Sequence, residues 1–469
     1  MNSGNGAGGQ HRPRGLGPVA KQQRALTPEE IRQPGHMVRL RDAGGADGCL
    51  NAPQQAVARR STRAPADGVP KENDLMLNHD VLRQRLYQQA EELVPVLRER
   101  AAEAERLGCL PDQTLNDFQQ AGFFRILQPA RWGGYELEPN DFFRVQMTLA
   151  EGCMSSAWVL GVVAIHNWQL ALFDDRAARD VWGEDSSVLI SSSYMPVGRV
   201  ARTEGGFTLS GRWGFSSGCK HCDWVFLGAM VPAAEPGGAP DYRTFLVPRQ
   251  DYQILDNWDV MGLAATGSHD ILVENAFVPE YRTHRALDGF MQDSPGNAVN
   301  DAPLYRLPFG QIFVRAVSSS AIGALQGAVA QFIAHNRARV GVNDGRKMVQ
   351  DPAAQSALAN AMVCVDECRT VLLSNFELML QRAREGTPLG MQERVKMRYD
   401  SSLVVQKCAT AVTDLMFNSG ASTIFRGHGI NRAFRDIHTG RAHVANHPAK
   451  YAWNLGSVAM GQDSSDFFL

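Results

Sequence analysis

Two histidines five residues apart, His438 and His443, lie in the run Phe434-Arg-Asp-Ile-His-Thr-Gly-Arg-Ala-His-Val-Ala-Asn446, and no glutamate follows Glu393. An imidazole gives or takes a proton near neutral pH, so this segment suits proton transfer or hydrogen-bond donation rather than abstraction by a carboxylate. A third histidine, His166, is the lone basic residue of the apolar run Val163-Ala-Ile-His-Asn-Trp-Gln-Leu-Ala-Leu-Phe173. Small hydroxyls cluster in Ile190-Ser-Ser-Ser193 and in Trp213-Gly-Phe-Ser-Ser-Gly218, where the glycine next to Ser217 permits a close approach of the backbone. Each also has a plainer use: a core histidine, a Ser-Ser-Gly turn between strands, or strand-end serines bonded to backbone.

Eight cysteines in 469 residues are ordinary for a reduced compartment and unlike a disulfide framework. Cys219-Lys-His-Cys222 alone has ligand-like spacing; a structural zinc site needs a second such pair, none follows, and no metal is expected. Cys364 and Cys368 are one helical turn apart, which packing explains. A net charge of -2 argues against nucleic acid as a partner. No run approaches the roughly 18 apolar residues of a membrane span, and the N-terminus lacks a signal-peptide pattern, so a soluble, cytoplasmic chain with no membrane partner is expected.

The elements that must position these residues change along the chain. Residues 1–75 are rich in Gly, Pro, Arg, Gln and Ala without a sustained apolar period, the composition of a disordered extension that is dispensable or, alternatively, a basic tail for a partner. Residues 76–185 carry helical signals. These are a pattern over 77–104 with Pro95 as a kink point, a short helix after Asp112 that stops at Ala121-Gly122, and one opening at Pro139-Asn-Asp. A helix over 155–173, apolar on nearly every side, belongs at the centre. Residues 186–300 read as β, with runs at 188–193, 206–213, 224–230 and 244–248, a small barrel or sandwich. Residues 301–469 return to helices at 310–340, 352–385, 391–420 and 430–445, a four-helix bundle. The fold class expected is multidomain α+β: helical domain, middle β domain, C-terminal bundle.

Several local motifs sharpen this. They are Leu127-Gln-Pro with Trp132-Gly-Gly, Val163 through Phe173, Val181-Trp-Gly-Glu-Asp, Ile190-Ser-Ser-Ser-Tyr-Met-Pro, and Trp213 through Gly218. Val260-Met-Gly-Leu with Thr266-Gly-Ser, Phe277-Val-Pro-Glu, and Phe434 through Asn446 complete the set. From about residue 80 to the end the chain resembles the oxygenase components of two-component, reduced-flavin-dependent aromatic monooxygenases, a branch of the acyl-CoA dehydrogenase fold. It is most similar to the oxygenase that hydroxylates the phenolic ring of a secosteroid in bacterial steroid breakdown, then to that of 4-hydroxyphenylacetate hydroxylase. In the wider fold an Arg-Asp pair opens a helix and a catalytic glutamate lies eight residues past the Asp. Here His443 stands seven past Asp436 and is followed by Val444.

The resemblance implies a site. Phe215 corresponds to an aromatic that lies against the isoalloxazine, Ser217 to a hydroxyl that bonds flavin N5, and Ser216 flanks both. It places Ser192 at the flavin and Ser193 at the substrate, Thr266 and Ser268 over the flavin edge, and Arg337 and Arg339 at a flavin phosphate of a neighbouring subunit. His166 would hold the proton of a phenol, and His443 would face the flavin C4a side, with His438 in a structural role beside it. Arg435 and Asp436 are expected to pair and fix the helix start. Asn446 matches the family, whereas His447 stands where relatives often carry Asp.

The implied activity is insertion of one oxygen atom ortho to the hydroxyl of a small phenolic substrate, through a C4a-hydroperoxyflavin. Its reactants are O2 and reduced FMN, with reduced FAD as the alternative, supplied by a separate NAD(P)H-dependent flavin reductase. The absence of a Gly-x-Gly-x-x-Gly fingerprint after a strand agrees with such a partner, and a homotetramer built through the C-terminal bundle is implied. Two other readings stay open: an acyl-CoA dehydrogenase or oxidase with its base on an earlier helix, and a non-catalytic flavin-binding homologue.

Overall fold

The structure, a computed structural model, describes residues 72–469 apart from 234–236, 343–344 and 467, so the expected extension lies almost wholly outside the described residues. Helix α1 (Glu72–Leu107) runs through Pro95. Its buried stripe of Leu86, Ala90, Leu97, Ala101 and Ala104 follows helical spacing. Helices α2 (Asp112–Ala121) and α3 (Pro139–Ala150) follow, and Asp141 ties α3 to α1 by accepting from Tyr87 at 2.5 Å and Arg83 at 3.1 Å. Every residue of α4 (Met154–Leu170) is buried, as its all-round apolar sequence requires. The short α5 (Asp175–Trp182) closes this region.

A seven-stranded sheet comes next: β1 (Ile190–Thr203), β2 (Gly206–Ser216), β3 (Trp224–Val231), β4 (Asp241–Pro248), β5 (Gln253–Leu255), β6 (His269–Pro279) and β7 (Thr283–Arg285), in the order β5-β6-β2-β1-β3-β4-β7. The first half of β1 pairs parallel with β3 and its last residues pair antiparallel with β2, so one long strand joins the two halves. The expectation stopped β1 at residue 193. It also missed β6, whose polar positions and Asn275 at φ +53° interrupt the alternation that marks a strand.

The rest is helical: α6 (Ala286–Met291), α7 (Phe309–Ala316), α8 (Ser319–Arg337), α9 (Pro352–Glu385), α10 (Met391–Phe417), α11 (Gly429–Arg441) and α12 (Pro448–Ala459). The helix expected over 310–340 is broken at Val317-Ser318, and the Val317 carbonyl, freed from the helix, accepts the Asn446 side-chain amide at 2.9 Å. Phe309–Arg337 is apolar and long enough to cross a membrane by length and composition alone. With 94% of its window buried inside the protein, it serves as core.

Candidate active site

Helix α4 carries the expected His166 and a second residue, Trp158, that the sequence did not single out. Trp158 and His166 lie eight residues apart, about 12 Å along the axis. The Trp158 indole N–H donates to Ser217 Oγ at 3.2 Å, just past the end of β2. Gly218 (φ +71°) lets this turn rest on α4, because a Cβ there would come within 2.8 Å of Val159 Cγ1. Phe215 has φ +64° and is 68% exposed, its ring edge-on to Trp258 at 6.0 Å. A non-glycine residue held in this region stores strain of the kind found at ligand clamps.

The hydroxyls beyond Ser217 have a determined proton order. Thr266 Oγ1 lies 2.8 Å from the Leu263 carbonyl and 2.7 Å from Ser268 Oγ, which in turn is 2.7 Å from Ser217 Oγ. A carbonyl only accepts and each hydroxyl has one proton. Thr266 therefore donates to Leu263, Ser268 to Thr266, and Ser217 to Ser268. Ser217 Oγ, which also accepts from Trp158, is left with one free lone pair and no free proton.

Leu263 anchors that relay in a left-handed conformation, φ +52°. Its N–H donates to Asp436 Oδ1 at 2.6 Å, and its carbonyl also accepts from Trp258 Nε1 at 3.1 Å. The expected Arg435–Asp436 pair does not form: both sit inside α11, and consecutive helical side chains diverge by about 100°. Arg435 instead meets Glu105 at 2.7 Å and the Met261 carbonyl at 2.9 Å.

Burial is the main cause that raises the Asp436 carboxyl to about 7. The folded state thus binds this proton more tightly than the unfolded chain. The associated stability is complete below the unfolded value of about 4 and is lost as pH rises through the folded value. Asp436→Asn keeps an acceptor for the Leu263 N–H without a charge to bury; Asp436→Ala strands that N–H at a cost of about 1–3 kcal/mol. Thermal melts across neutral pH should show wild type losing stability relative to Asp436→Asn as pH rises, with Asp436→Ala below both. A wild-type curve parallel to that of Asp436→Asn would mean the carboxylate is already satisfied in its charged form.

The histidines are held in opposite tautomers. His166 Nδ1 lies 2.6 Å from the Ile190 carbonyl and must donate to it, which leaves Nε2 as a bare lone pair, buried and without a partner among the described residues. His443 Nδ1 accepts the Ala445 N–H at 3.1 Å, which puts the proton of its neutral ring on Nε2. Burial lowers both to about 4, with Arg398 acting the same way on His443, so both rings are neutral at pH 7. One is an acceptor and the other a donor.

A continuous aromatic row brings them together. His166 meets Tyr194 at 6.2 Å, Tyr194 meets Phe313 at 4.8 Å, Phe313 meets His443 at 6.4 Å, and His443 meets Trp158 edge-on at 5.8 Å. Trp158 closes the row on Ser217. Sequence reasoning missed Tyr194, Phe313 and Trp158 as parts of this wall, because their separation along the chain gives no sign that they touch.

The remaining expectations divide. Ser193 Oγ donates to the Gly214 carbonyl at 2.7 Å, beside Phe215, and Ser192 is buried next to it at the start of β1. Ser216 is fully buried, its hydroxyl without a hydrogen-bond partner among the described residues. Arg337 is exposed at the far end of α8, and Arg339 folds back on Asn336 and the Asn418 carbonyl. Neither joins the hydroxyl relay of its own chain. His438 donates to Thr413 at 2.9 Å, a structural role as expected, and His447 is exposed. The Cys219 and Cys222 thiols donate to the Gly267 and Gly218 carbonyls. The 285–305 region lines a cavity with Ala286, Gly289 and Phe290 against Gln169, Phe309 and Phe468.

The family described as acyl-CoA dehydrogenase, C-terminal domain, matches residues 316–448. The chain is 38% identical over 385 residues to the flavin-dependent monooxygenase oxygenase subunit HsaA of Rhodococcus jostii (strain RHA1), covering 81% of this chain and 99% of that one. It is 28% identical over 385 residues to the oxygenase component of p-hydroxyphenylacetate 3-hydroxylase of Acinetobacter baumannii, covering 82% and 91%. The crystal structure of the HsaA monooxygenase from M. tuberculosis superposes with a TM-score of 0.78 at 35% identity, covering 82% of this chain and 100% of that one.

Proposed function

Because this chain belongs to the family of flavin-dependent monooxygenase oxygenase subunits with the acyl-CoA dehydrogenase fold, we propose that His166, Ser217 and His443 are the groups with which it hydroxylates a phenol ortho to its hydroxyl. It is an oxygenase component acting on phenolic substrates. One observation carries the assignment of roles: a backbone or hydroxyl partner determines the proton position at each of the three groups, and each leaves free the atom the chemistry needs.

The residues fit a reduced flavin ring. Ser217 Oγ can only accept from a ligand, and the flavin N5 position bears a hydrogen only when reduced. The exposed, strained Phe215 offers a face for a flat ring beside it. When bound, the reduced flavin supplies two electrons and the activation of O2. His166 Nε2 takes the phenolic proton, which raises electron density at the ortho carbon. His443 Nε2–H donates toward the oxygen being transferred, beside the rings of Trp158 and Phe313. Ser192 and Ser193, buried at the start of β1, are assigned to the flavin and to the substrate respectively.

Reduced FMN is the proposed carrier, since the contacts above reach only the ring system that FMN and FAD share, and FMN is the smaller. A separate NAD(P)H-dependent reductase, a homotetramer in which Arg337 and Arg339 serve a neighbouring subunit, and a cytoplasmic location complete the reading.

The test mixes the protein with chemically reduced FMN, O2 and a set of phenols, and measures catechol formed and hydrogen peroxide released per flavin oxidised. Catechol from at least one phenol is expected; peroxide alone with every phenol, with reduced FMN and with reduced FAD, would sink the reading. Ser217→Ala should also bring the affinities for reduced and oxidised FMN about 5- to 10-fold closer together, the worth of one hydrogen bond of roughly 1 kcal/mol. An unchanged ratio would mean that Ser217 does not meet N5.

A further inference from the structure

Apart from this site, three thiols converge inside the C-terminal bundle. Cys364 and Cys368 are one turn apart on α9, and Cys408 faces them from α10, with the three Sγ atoms within 4.8 Å of one another. Cys368 and Cys408 are buried, and Cys364 is half-buried and gives access from the surface. The sequence suggested only the first two, at a spacing that packing explains.

A second observation sets the cluster apart from ordinary packing. Arg315 is 1% exposed and both of its terminal nitrogens lack a hydrogen-bond partner among the described residues. A buried guanidinium in that condition costs several kcal/mol unless an anion offsets it. Its charge acts on Cys368 and Asp400. Lys407, paired with Glu367 at 3.1 Å, also acts on Cys364 and Cys368.

We propose that Cys364, Cys368 and Cys408 form a three-coordinate site for a soft monovalent ion, Cu(I), that ties α9 to α10. Thiolates select soft ions. A structural zinc site would require a fourth ligand, and among the described residues no further His, Cys, Asp or Glu joins the three. Three thiolates around a monovalent ion carry two net negative charges, which the buried Arg315 guanidinium offsets in part. On loading, three S–H bonds break, three protons leave to solvent, three S–Cu bonds form, and no electron is transferred.

The full-length protein, reduced and kept free of oxygen, is titrated with Cu(I) against a chromophoric Cu(I) chelator. One equivalent per chain should leave the chelator, with a copper K-edge spectrum showing an all-sulfur shell of three. Cys364→Ser, Cys368→Ser and Cys408→Ser should each weaken binding by tenfold or more, and Cys219→Ser/Cys222→Ser should not. The proposal is overturned if the chelator keeps the metal, or if the Cys219/Cys222 variant is the one that loses it. Cys364 is half-buried, so Cys364→Ser does not depend on repacking the core. Unchanged affinity in that variant overturns the proposal whatever the buried variants do.

Discussion

Replacing His166 with alanine is expected to slow phenol hydroxylation at neutral pH by roughly 100- to 10,000-fold, the range for losing a positioned general base. Nε2 is buried and deprotonated, with no hydrogen-bond partner among the described residues, because Nδ1 gives its hydrogen to the Ile190 carbonyl. A base lost in this way is rescued when the substrate is ionised beforehand. The deficit should therefore shrink as pH approaches the phenol's own pKa, about 10 for an ordinary phenol, and be small for a strongly acidic phenol. A deficit that persists at every pH would show that His166 only fills space. His166→Gln, which keeps an acceptor oxygen, separates the two further. Because burial lowers the imidazole to about 4, the wild-type rate should hold through pH 6.5 and fall only toward pH 4. A loss centred on 6.5 would mean that the ring is solvated in the working enzyme.

His443→Ala should fail differently. Reduced flavin and oxygen would still react, but the catechol formed per flavin should collapse and hydrogen peroxide should take its place. Losing one preorganised donor slows a transfer step by roughly 100- to 1,000-fold. Flavin affinity should stay near wild type, since the relay through Ser217, Ser268 and Thr266 is anchored by Leu263 and Asp436 and does not involve this imidazole. Equal loss of flavin binding and of product would make His443 structural. His443→Asn, with an amide N–H in place of Nε2–H, should recover part of the yield. The donor is a neutral ring, so yield should be level across pH 6 to 8, unlike that of an imidazolium acid of ordinary pKa.

Much of the fold was legible in the chain. The all-round apolar run around His166 required a central helix, and the period of the C-terminal third required a bundle. Strand β6 and helix α12 were not legible. The first has an irregular alternation, and the second is packed against α10 by tertiary contacts rather than marked by a strong period of its own. The Arg435–Asp436 pairing failed for a geometric reason that helix spacing states in advance.

The sequence by itself determined which groups were available: three neutral-pH proton carriers or acceptors on an acyl-CoA dehydrogenase scaffold, without a glutamate in the final segment. It could not say which nitrogen of each imidazole carries the hydrogen, which way protons run through Ser217, Ser268 and Thr266, or that Cys408 meets Cys364 and Cys368. Those depend on partners distant along the chain: the Ile190 carbonyl for His166, the Leu263 carbonyl for the hydroxyls, and α10 for the thiols. A side chain's proton inventory is intrinsic to its type, but the direction of each hydrogen bond is set by the neighbour that can only accept or only donate. Only the folded chain supplies that neighbour.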